Sequence, residues 1–342
     1  MTRLLALLSA LLVCLGGCAT YTQPPISPPP GFAGPAAEDR FLVMDDGARL
    51  PLTRWSPREK PWAVIVALHG MNDYRASFRL AGPWWAERGI ETWAYDQRGF
   101  GQAPGRGVWA GQERMVRDLR TAVDLARRAH PDALIVIAGE SMGGSVATAA
   151  AASDDPPVAD RVVLLAPGVW GWSSQPPFNT LSLWIAARVF GDTAVEPPAF
   201  ITRRILASDN LLELVRNGRD PAFIISTRFD TLAGLIGLME AASDRLGVVK
   251  LPTLMMYGDS DQIIEKGPTR RALRRAGAAP NLRTAWYPGH HHLLNRDLEA
   301  EVVFRDVEAW LRDRDAPLPS GAGPVLPALE TSPRPRRGPS GR

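Results

Sequence analysis

Runs of apolar residues alternate with amphipathic stretches along most of the chain, and this alternation predicts the fold. The run at residues 134–138 contains no polar alternation, which is typical of a strand buried on both faces of a parallel sheet. The clearest runs are residues 62–68, 90–95, 134–138, 161–166, 251–257 and 282–287. Residues 112–130 carry a helical stripe of apolar side chains, and residues 303–311 carry a shorter one. Strands that alternate with helices predict an α/β fold with a mostly parallel central sheet.

A hairpin is predicted before the first of these strands. Residues 41–44 and 49–55 are apolar-rich segments, and Asp45-Asp46-Gly47 between them is a turn sequence. We expect these two segments to pair as antiparallel strands at the start of the domain.

The alternation lapses between residues 169 and about 230. This stretch is rich in Trp, Phe, Leu and Ile, is interrupted by prolines, and is too long for a simple loop. It follows a sheet strand, so we predict a helical lid over the carboxyl edge of the sheet, where ligands bind in such folds. An acyl chain or another apolar substrate is expected to bind beneath this lid.

The amino-terminal segment has the layout of an export signal. Arg3 precedes an apolar core at residues 4–13 that is too short to span a bilayer as a stable helix, and Leu15-Gly16-Gly17-Cys18 follows. This sequence resembles the signal of a bacterial lipoprotein, and the resemblance implies cleavage before Cys18 and acylation of Cys18. An ordinary secretory signal, cut at a nearby small residue, is the alternative.

Acylation of Cys18 would tether the mature chain to a membrane of the bacterial envelope, since several acyl chains on one residue anchor a protein stably. Ala19, and not Asp, follows the cysteine. By analogy with lipoprotein sorting, this favours the periplasmic face of the outer membrane. Cys14 would leave with the signal, so no disulfide is expected.

Composition separates a central domain from two extended ends. Residues 1–17 are assigned to the signal peptide, 18–38 to a proline-rich linker, 39–313 to the α/β domain, and 314–342 to a disordered tail. A hydrophobic content of 45% and a charged content of 22% suit a domain with a real core. The net charge of +3 comes mainly from arginines of the tail, so no nucleic-acid-binding surface is expected.

One predicted strand ends in a motif that can carry chemistry, Gly139-Glu140-Ser141-Met142-Gly143. G-x-S-x-G alone is a weak signal in a chain with 31 glycines, but here a buried strand precedes it and a small-residue helix follows it. In that context Ser141 is predicted to be a nucleophile in a strained strand-to-helix turn, with its hydroxyl exposed above the sheet. The alternative is a glycine-rich turn that happens to contain a serine.

A serine nucleophile needs a base, an acid that orients the base, and an oxyanion hole. Of the five histidines, His290, His291 and His292 lie together after the last predicted strand, so the base is expected among them. Asp259 and Asp261 follow another strand end, between the serine and the histidines in chain order, as the acid should.

The oxyanion hole requires backbone N–H groups aimed at the developing negative charge. Met142, directly after Ser141, is expected to supply one N–H group. The loop His69-Gly70-Met71, which follows an earlier strand, is expected to supply the other through Met71.

Taken in order, these segments resemble an α/β-hydrolase of the monoacylglycerol lipase and lysophospholipase group, which is also filed with the serine aminopeptidase fold. The matching segments are H-G-M at 69–71, D-Q-R-G-F-G at 96–101, G-E-S-M-G-G at 139–144, G-D-S-D at 258–261 and G-H-H-H at 289–292. The resemblance covers residues 41–312 and implies an α/β-hydrolase fold with a helical lid. It selects Asp261 over Asp259 as the acid, and His292 over the two preceding histidines as the base. It also implies that no metal or cofactor is needed.

The reaction implied by the resemblance is hydrolysis of single-chain lipid esters, such as monoacylglycerols or lysophospholipids, through an acyl-enzyme. A peptidase or amidase on the same fold stays open; it would need an acidic lid residue, such as Glu196 or Glu213, to hold a substrate amine. A non-catalytic binding lipoprotein of the envelope also stays open. For single residues, the histidine run could be a metal site. Asp96 and Arg98 could be catalytic, or a structural pair that fixes the glycine-rich loop.

Overall fold

The sheet predicted from the apolar runs forms the centre of the protein. The computed structural model describes residues 20–197 and 205–331. Over these residues the main sheet has nine strands: β1 (Ala36–Ala37), β2 (Phe41–Val43), β3 (Arg49–Trp55), β4 (Ala63–Leu68), β5 (Ile90–Tyr95), β6 (Leu134–Glu140), β7 (Arg161–Leu165), β10 (Thr253–Gly258) and β11 (Leu282–Tyr287). Strands β8 (Ala194–Val195) and β9 (Thr227–Arg228) pair in a separate antiparallel ribbon.

The strands follow the order β1-β2-β3-β5-β4-β6-β7-β10-β11 across the sheet. The pairs from β5 to β11 are parallel, and β1, β2 and β3 join them through antiparallel pairs. The β2–β3 pair confirms the predicted hairpin, and the strand order confirms the mostly parallel sheet. Because parallel strands end at the same edge, the loops after β4, β6, β10 and β11 meet there.

Helices cover both faces of the sheet. They are α1 (Ala81–Ala86), α2 (Gln112–Ala129), α3 (Met142–Ala151), α4 (Pro177–Val189), α5 (Leu211–Arg219), α6 (Phe229–Arg245), α7 (Lys266–Ala276), α8 (Ala300–Arg312) and α9 (Val325–Thr331), with 3₁₀ turns at Arg75–Phe78, Trp172–Ser174 and Leu246–Val248. Val64 and Val66 of β4 lie in the core that contains α2 and α3, whereas Ile65 lies in the core with α1 and α8. A strand covered on both faces has no polar side, which explains its continuous apolar sequence. Within the described ranges, no helix is both long enough and apolar enough to cross a bilayer.

Both ends of the domain are more ordered than their composition predicts. Leu318, Val325 and Leu329 are buried, and α9 packs on α7 and β11, so residues 316–331 differ from the predicted disordered tail. These apolar side chains are spaced among Pro, Gly and Ser, and their burial outweighs the turn-rich composition. The predicted signal peptide, Cys18 and residues 332–342 lie outside the described part of the chain.

The linker differs from the prediction in the same way over its described part. The N–H of Gln23 donates to the carbonyl of Trp109 at 2.8 Å, and the side chain of Gln23 donates to the carbonyl of Val108 at 2.8 Å. Further along, β1 pairs with β2. Much of this segment therefore lies along the domain surface and does not extend away from it.

Candidate active site

Ser141 lies in a strained turn between β6 and α3, in the local structure that the sequence predicts. Its backbone dihedrals are φ 52° and ψ −115°, a region that costs a non-glycine residue about 1–3 kcal/mol. Two backbone hydrogen bonds hold the turn: Ser141 N–H donates to Leu165, and Gly168 N–H donates to Ser141, each at 3.0 Å. A Cβ at Gly139 would collide with the Gly143 carbonyl, and a Cβ at Gly143 would collide with the Leu68 carbonyl. Only glycine therefore lets strand and helix close around Ser141.

The loop after β4 lies beside this turn. A Cβ at Gly70 would lie only 3.3 Å from the Cβ of Ser141, so the next residue, Met71, is close to the nucleophile. The buried side chain of His69 fixes the loop, because its Nε2 accepts the N–H of Gln97 at 2.9 Å and its Nδ1 lies 2.8 Å from the Gly70 carbonyl. His69 therefore carries its proton on Nδ1, and burial lowers its pKa, which keeps it neutral.

Met142 is the first residue of α3, so its N–H is one of the groups that a helix leaves without an intrahelical acceptor. The partial positive charge of the helix N-terminus adds to this donor. The structure thus places both residues predicted for the oxyanion hole, Met71 and Met142, next to the turn that carries Ser141.

Asp261 and His292 meet across the loops that follow β10 and β11. The Nδ1 atom of His292 lies 2.8 Å from Oδ2 of Asp261, and both side chains are buried. The other carboxylate oxygen of Asp261 accepts the backbone N–H groups of Ile263 and Ile264, at 2.8 and 2.9 Å. Asp261 is therefore held rigidly and occupies Nδ1, which leaves Nε2 for proton transfer.

The neighbouring acid and histidines do other work. Asp259 accepts the backbone N–H of Gly289 at 2.8 Å and the hydroxyl of Ser260 at 3.0 Å, and these contacts brace the histidine loop. His290 is half-buried and packs edge-on against Tyr287. Of these acids and histidines, Asp261 and His292 are the two that the structure joins by a buried hydrogen bond.

Opposing effects set the pKa of His292. Burial alone would lower it, but the charge and hydrogen bond of Asp261, with a smaller contribution from Glu140, outweigh burial and raise the pKa above its ordinary value of 6.5. Arg296 opposes that rise. An imidazolium formed during proton transfer is thus stabilised by nearby carboxylates.

A buried ionic cluster lies beneath the site, and the sequence motifs did not indicate it. Arg296 donates from Nη1 to Asp73 at 2.6 Å and from Nη2 to Glu140 at 2.5 Å. All three side chains are almost completely buried. Burial raises the pKa of Glu140, and the charge of Arg296 opposes this. The three positions are far apart in sequence, so spacing alone could not have linked them.

Asp96 and Arg98 do fix the glycine-rich loop, but they are not a pair with each other. Asp96 binds the backbone and guanidinium of Arg75, whereas Arg98 binds Asp46 at 2.7 Å and Asp118 at 2.6 Å. The prediction of a single structural pair is therefore wrong in its partners. Asp96 is neutralised by Arg75, whereas Arg98 is neutralised by Asp46 and Asp118.

The segment predicted as a lid contains α4, α5 and the β8–β9 ribbon, and residues 198–204 of it lie outside the described chain. It is hydrogen-bonded to the acid loop and the base loop. Leu206 N–H donates to Gln262 at 3.0 Å, and Leu293 N–H donates to the carbonyl of Ala207 at 2.9 Å. The insert is thus attached next to both Asp261 and His292.

The far end of the insert is attached to the oxyanion loop. Ile224 N–H donates to the carbonyl of Asn72 at 2.9 Å, and the amide of Asn72 donates to Thr227 at 2.7 Å. Asn72 directly follows Met71 and has a positive φ of 64°. The lid therefore contacts the oxyanion loop, the acid loop and the base loop.

Of the two acidic lid residues considered for an amine site, Glu213 is already paired with an arginine. Glu213 is buried and forms an ion pair with Arg79, while Glu196 is exposed to solvent. A carboxylate that is already neutralised by arginine attracts a substrate ammonium only weakly.

Asp209, His291 and Asp297 bring three possible metal-ligand atoms within 4.8 Å of one another. The Asp297 carboxylate already accepts hydrogen bonds from the Ser208 hydroxyl at 2.7 Å and from the His291 N–H at 2.6 Å. These bonds tie the lid to the base loop, which is a sufficient structural role for the cluster. The three consecutive histidines do not converge, since His292 points to Asp261 and His290 packs against Tyr287.

Comparison with known proteins agrees with this architecture. Residues 59–299 match the family described as serine aminopeptidase, S33. The chain is 27% identical over 274 residues to a monoacylglycerol lipase of Mycolicibacterium smegmatis, covering 78% of this chain and 93% of the relative. It is also 27% identical over 294 residues to the monoglyceride lipase of Mus musculus, covering 83% and 93%.

Solved structures show the same fold. A soluble variant of monoglyceride lipase from Saccharomyces cerevisiae, in complex with a substrate analogue, superposes with a TM-score of 0.66 at 18% identity and covers 85% of this chain and 99% of that one. A thermostable carboxyl esterase from Bacillus coagulans superposes with a TM-score of 0.63 at 18% identity, covering 79% and 97%. The fold is thus that of the α/β-hydrolases. The family match spans most of the chain, and the chain belongs to the serine aminopeptidase S33 family of hydrolases.

Proposed function

We propose that this protein is a serine hydrolase that cleaves carboxylic esters of single-chain lipids, of the monoacylglycerol or lysophospholipid type. The observation that carries the proposal is the buried contact of 2.8 Å between His292 and Asp261, at the same sheet edge as the strained Ser141. An oriented histidine and a serine at the tip of a strained turn are the parts that acyl transfer requires.

In the proposed mechanism, the Ser141 hydroxyl attacks the ester carbonyl and gives its proton to Nε2 of His292. Asp261 holds the imidazole in the correct tautomer and stabilises the imidazolium. The N–H groups of Met71 and Met142 donate to the oxyanion of the tetrahedral intermediate. His292 then protonates the departing alcohol, and the acyl-enzyme remains on Ser141. Water, activated by the same base, releases the fatty acid.

The lipid class rests on the relatives and on the apolar lid. Two relatives that align over nearly their whole length are named for monoacylglycerol or monoglyceride hydrolysis. Helix α4 exposes Phe178, Leu181, Ile185 and Val189, which lie on one helical face. Such a contiguous apolar stripe is typical of proteins that meet a lipid or partner surface.

A membrane location is part of the same proposal. Residues 1–17 would be removed as a lipoprotein signal and Cys18 would be acylated, which would hold the domain at the bacterial envelope, with the periplasmic face of the outer membrane favoured. Metabolic labelling with a radioactive fatty acid tests this: wild type should incorporate label and fractionate with membranes, and Cys18→Ala should not. Equal labelling of the variant would refute acylation at Cys18.

The substrate class is tested with purified protein lacking residues 1–18 and a panel of glycerol esters, lysophospholipids and aminoacyl amides of graded chain length. We expect hydrolysis of the single-chain esters at the highest kcat/KM. Ser141→Ala should abolish it, and Ser260→Ala, a serine beside the acid, serves as the matched control. A preference for aminoacyl amides would favour the peptidase alternative, and no hydrolysis of any substrate by wild type would favour the binding lipoprotein.

A further inference from the structure

The cluster of Asp73, Arg296 and Glu140 connects the loops that carry the proposed catalytic groups. Asp73 lies two residues after Met71, Glu140 directly precedes Ser141, and Arg296 lies four residues after His292. The hydrogen bond from Nη1 therefore joins the base loop to the oxyanion loop, and the bond from Nη2 joins the base loop to the nucleophile turn. One side chain spans the oxyanion loop, the nucleophile turn and the base loop.

The geometry of arginine suits this task. The guanidinium is planar and rigid, so donation from Nη1 to Asp73 and from Nη2 to Glu140 fixes the separation of the two carboxylates. The base loop gains further support from Asn295, whose amide donates to the Ser77 carbonyl at 3.1 Å.

Stability alone is a weak reason for such an arrangement. Burying three charges carries a large desolvation cost, and neutral residues of similar volume often replace a buried charged cluster without loss of stability. The chain contains a second buried cluster, in which Arg98 binds Asp46 and Asp118 and the partly buried Arg114 contacts both aspartates. That second cluster supports the glycine-rich loop and contains none of the proposed catalytic groups, so it is a natural control.

We propose that Arg296, through Asp73 and Glu140, is a positioning residue that holds the oxyanion loop, the nucleophile turn and His292 in reactive register. This inference rests on the proposed function, because the relative positions of these groups matter for acyl transfer. Arg296 itself does not touch substrate. It acts through the two carboxylates and through the base loop on which it lies.

The test is a neutral variant of the whole cluster, Asp73→Asn with Glu140→Gln and Arg296→Met. Because all three charges are removed together, no charge is left unpaired, and the variant is expected to fold. We expect kcat for ester hydrolysis to fall about 100-fold, the usual cost of a small misplacement of catalytic groups, with KM little changed. The matched control, Asp46→Asn with Arg98→Met and Asp118→Asn, is expected to lower kcat far less, because that cluster reaches the oxyanion loop only indirectly, through Gln97 and His69, and Arg114 keeps its partner Asp45.

A second readout does not depend on turnover. The proton between His292 Nδ1 and Asp261 should give a downfield NMR resonance in wild type, and we expect the neutral variant to broaden it, unlike the control. Arg296→Lys, which keeps the charges that act on the pKa of His292, should broaden it as well. Wild-type kcat and an unbroadened resonance in the folded neutral variant would overturn the proposal, as would equal losses of kcat in the control. If wild type hydrolyses no ester, the proposed function fails, while the resonance still decides whether Arg296 positions the base loop.

Arg296→Lys covers the case in which the neutral variant does not fold. Lysine keeps the charge but lacks the planar guanidinium with its two donating nitrogens. The variant should therefore fold, and its kcat should fall by less than the roughly 100-fold loss expected for the neutral variant. Wild-type kcat with wild-type NMR spectra in Arg296→Lys would show that the fork has no positioning role.

Discussion

The Nδ1 atom of His292 lies 2.8 Å from Oδ2 of Asp261, and both residues are buried at the carboxyl edge of the sheet. The other carboxylate of the same loop, Asp259, contacts Gly289 and Ser260 instead. This difference separates two aspartates that lie only two residues apart, and it makes the assignment of the acid testable.

Asp261→Asn is expected to lower kcat/KM for an ester by about 10⁴-fold, because an amide cannot hold the reactive imidazole tautomer or stabilise the imidazolium. Asp259→Asn should have a much smaller effect, through loosening of the histidine loop. Steady-state kinetics on a soluble ester measure both. Similar losses in the two variants, or a larger loss in Asp259→Asn, would contradict the assignment.

The pH dependence follows from the raised pKa of His292. The base must be neutral to accept a proton, and a raised pKa keeps it protonated to higher pH. Activity should therefore decline as the pH falls through a value above 6.5, the ordinary pKa of histidine. A profile of kcat/KM against pH checks this. An acidic limb centred well below 6.5 would mean that burial outweighs the charges of Asp261 and Glu140.

Gly143→Ala is expected to destabilise the fold by several kcal/mol, since its Cβ would collide with the Leu68 carbonyl in a tightly packed turn. Gly218→Ala is the matched control. Gly218 is an exposed helical glycine, and beyond its chain neighbours and the backbone of its own helix no atom lies within 4 Å of the position that an alanine methyl group would occupy there. Alanine at that position should therefore be neutral or stabilising by up to about 1 kcal/mol. Urea unfolding distinguishes the two, and equal stabilities would refute the close approach of β4 and α3.

Leu329→Ala is expected to reduce the free energy of unfolding by about 2–5 kcal/mol, because Leu329 of α9 is completely buried. Glu330→Ala, at the exposed neighbouring position, should change it by less than about 1 kcal/mol, since it removes only a surface ion pair with Arg274. If both variants unfold at the wild-type urea concentration, the segment does not contribute to the domain.

Features with strong local causes were predictable from the sequence. The spacing of Gly139 and Gly143 around Ser141 predicts the turn, because the collision that Gly139 avoids, with the Gly143 carbonyl, is local. The continuous apolar strands predict a parallel sheet, because both of its faces are buried. Because Met71, Asp261 and His292 each follow a parallel strand, their loops meet at one edge of the sheet.

Features that depend on distant partners were not predictable. Arg296 meets residues 223 and 156 positions away, and nothing in its own neighbourhood in the sequence signals this. The partners of Asp96 and Arg98 were assigned wrongly for the same reason. The segment after residue 316 has the composition of a flexible tail, and only the tertiary structure shows that Val325 and Leu329 fill an apolar surface.

The most direct test of the account is active-site labelling with a fluorophosphonate, followed by mapping of the labelled peptide. We expect one label, on Ser141. Ser141→Ala and His292→Gln should abolish labelling, whereas His290→Gln should label at nearly the wild-type rate. Labelling that maps to another serine, or that proceeds equally in wild type and Ser141→Ala, would contradict the assignment of Ser141 as the nucleophile.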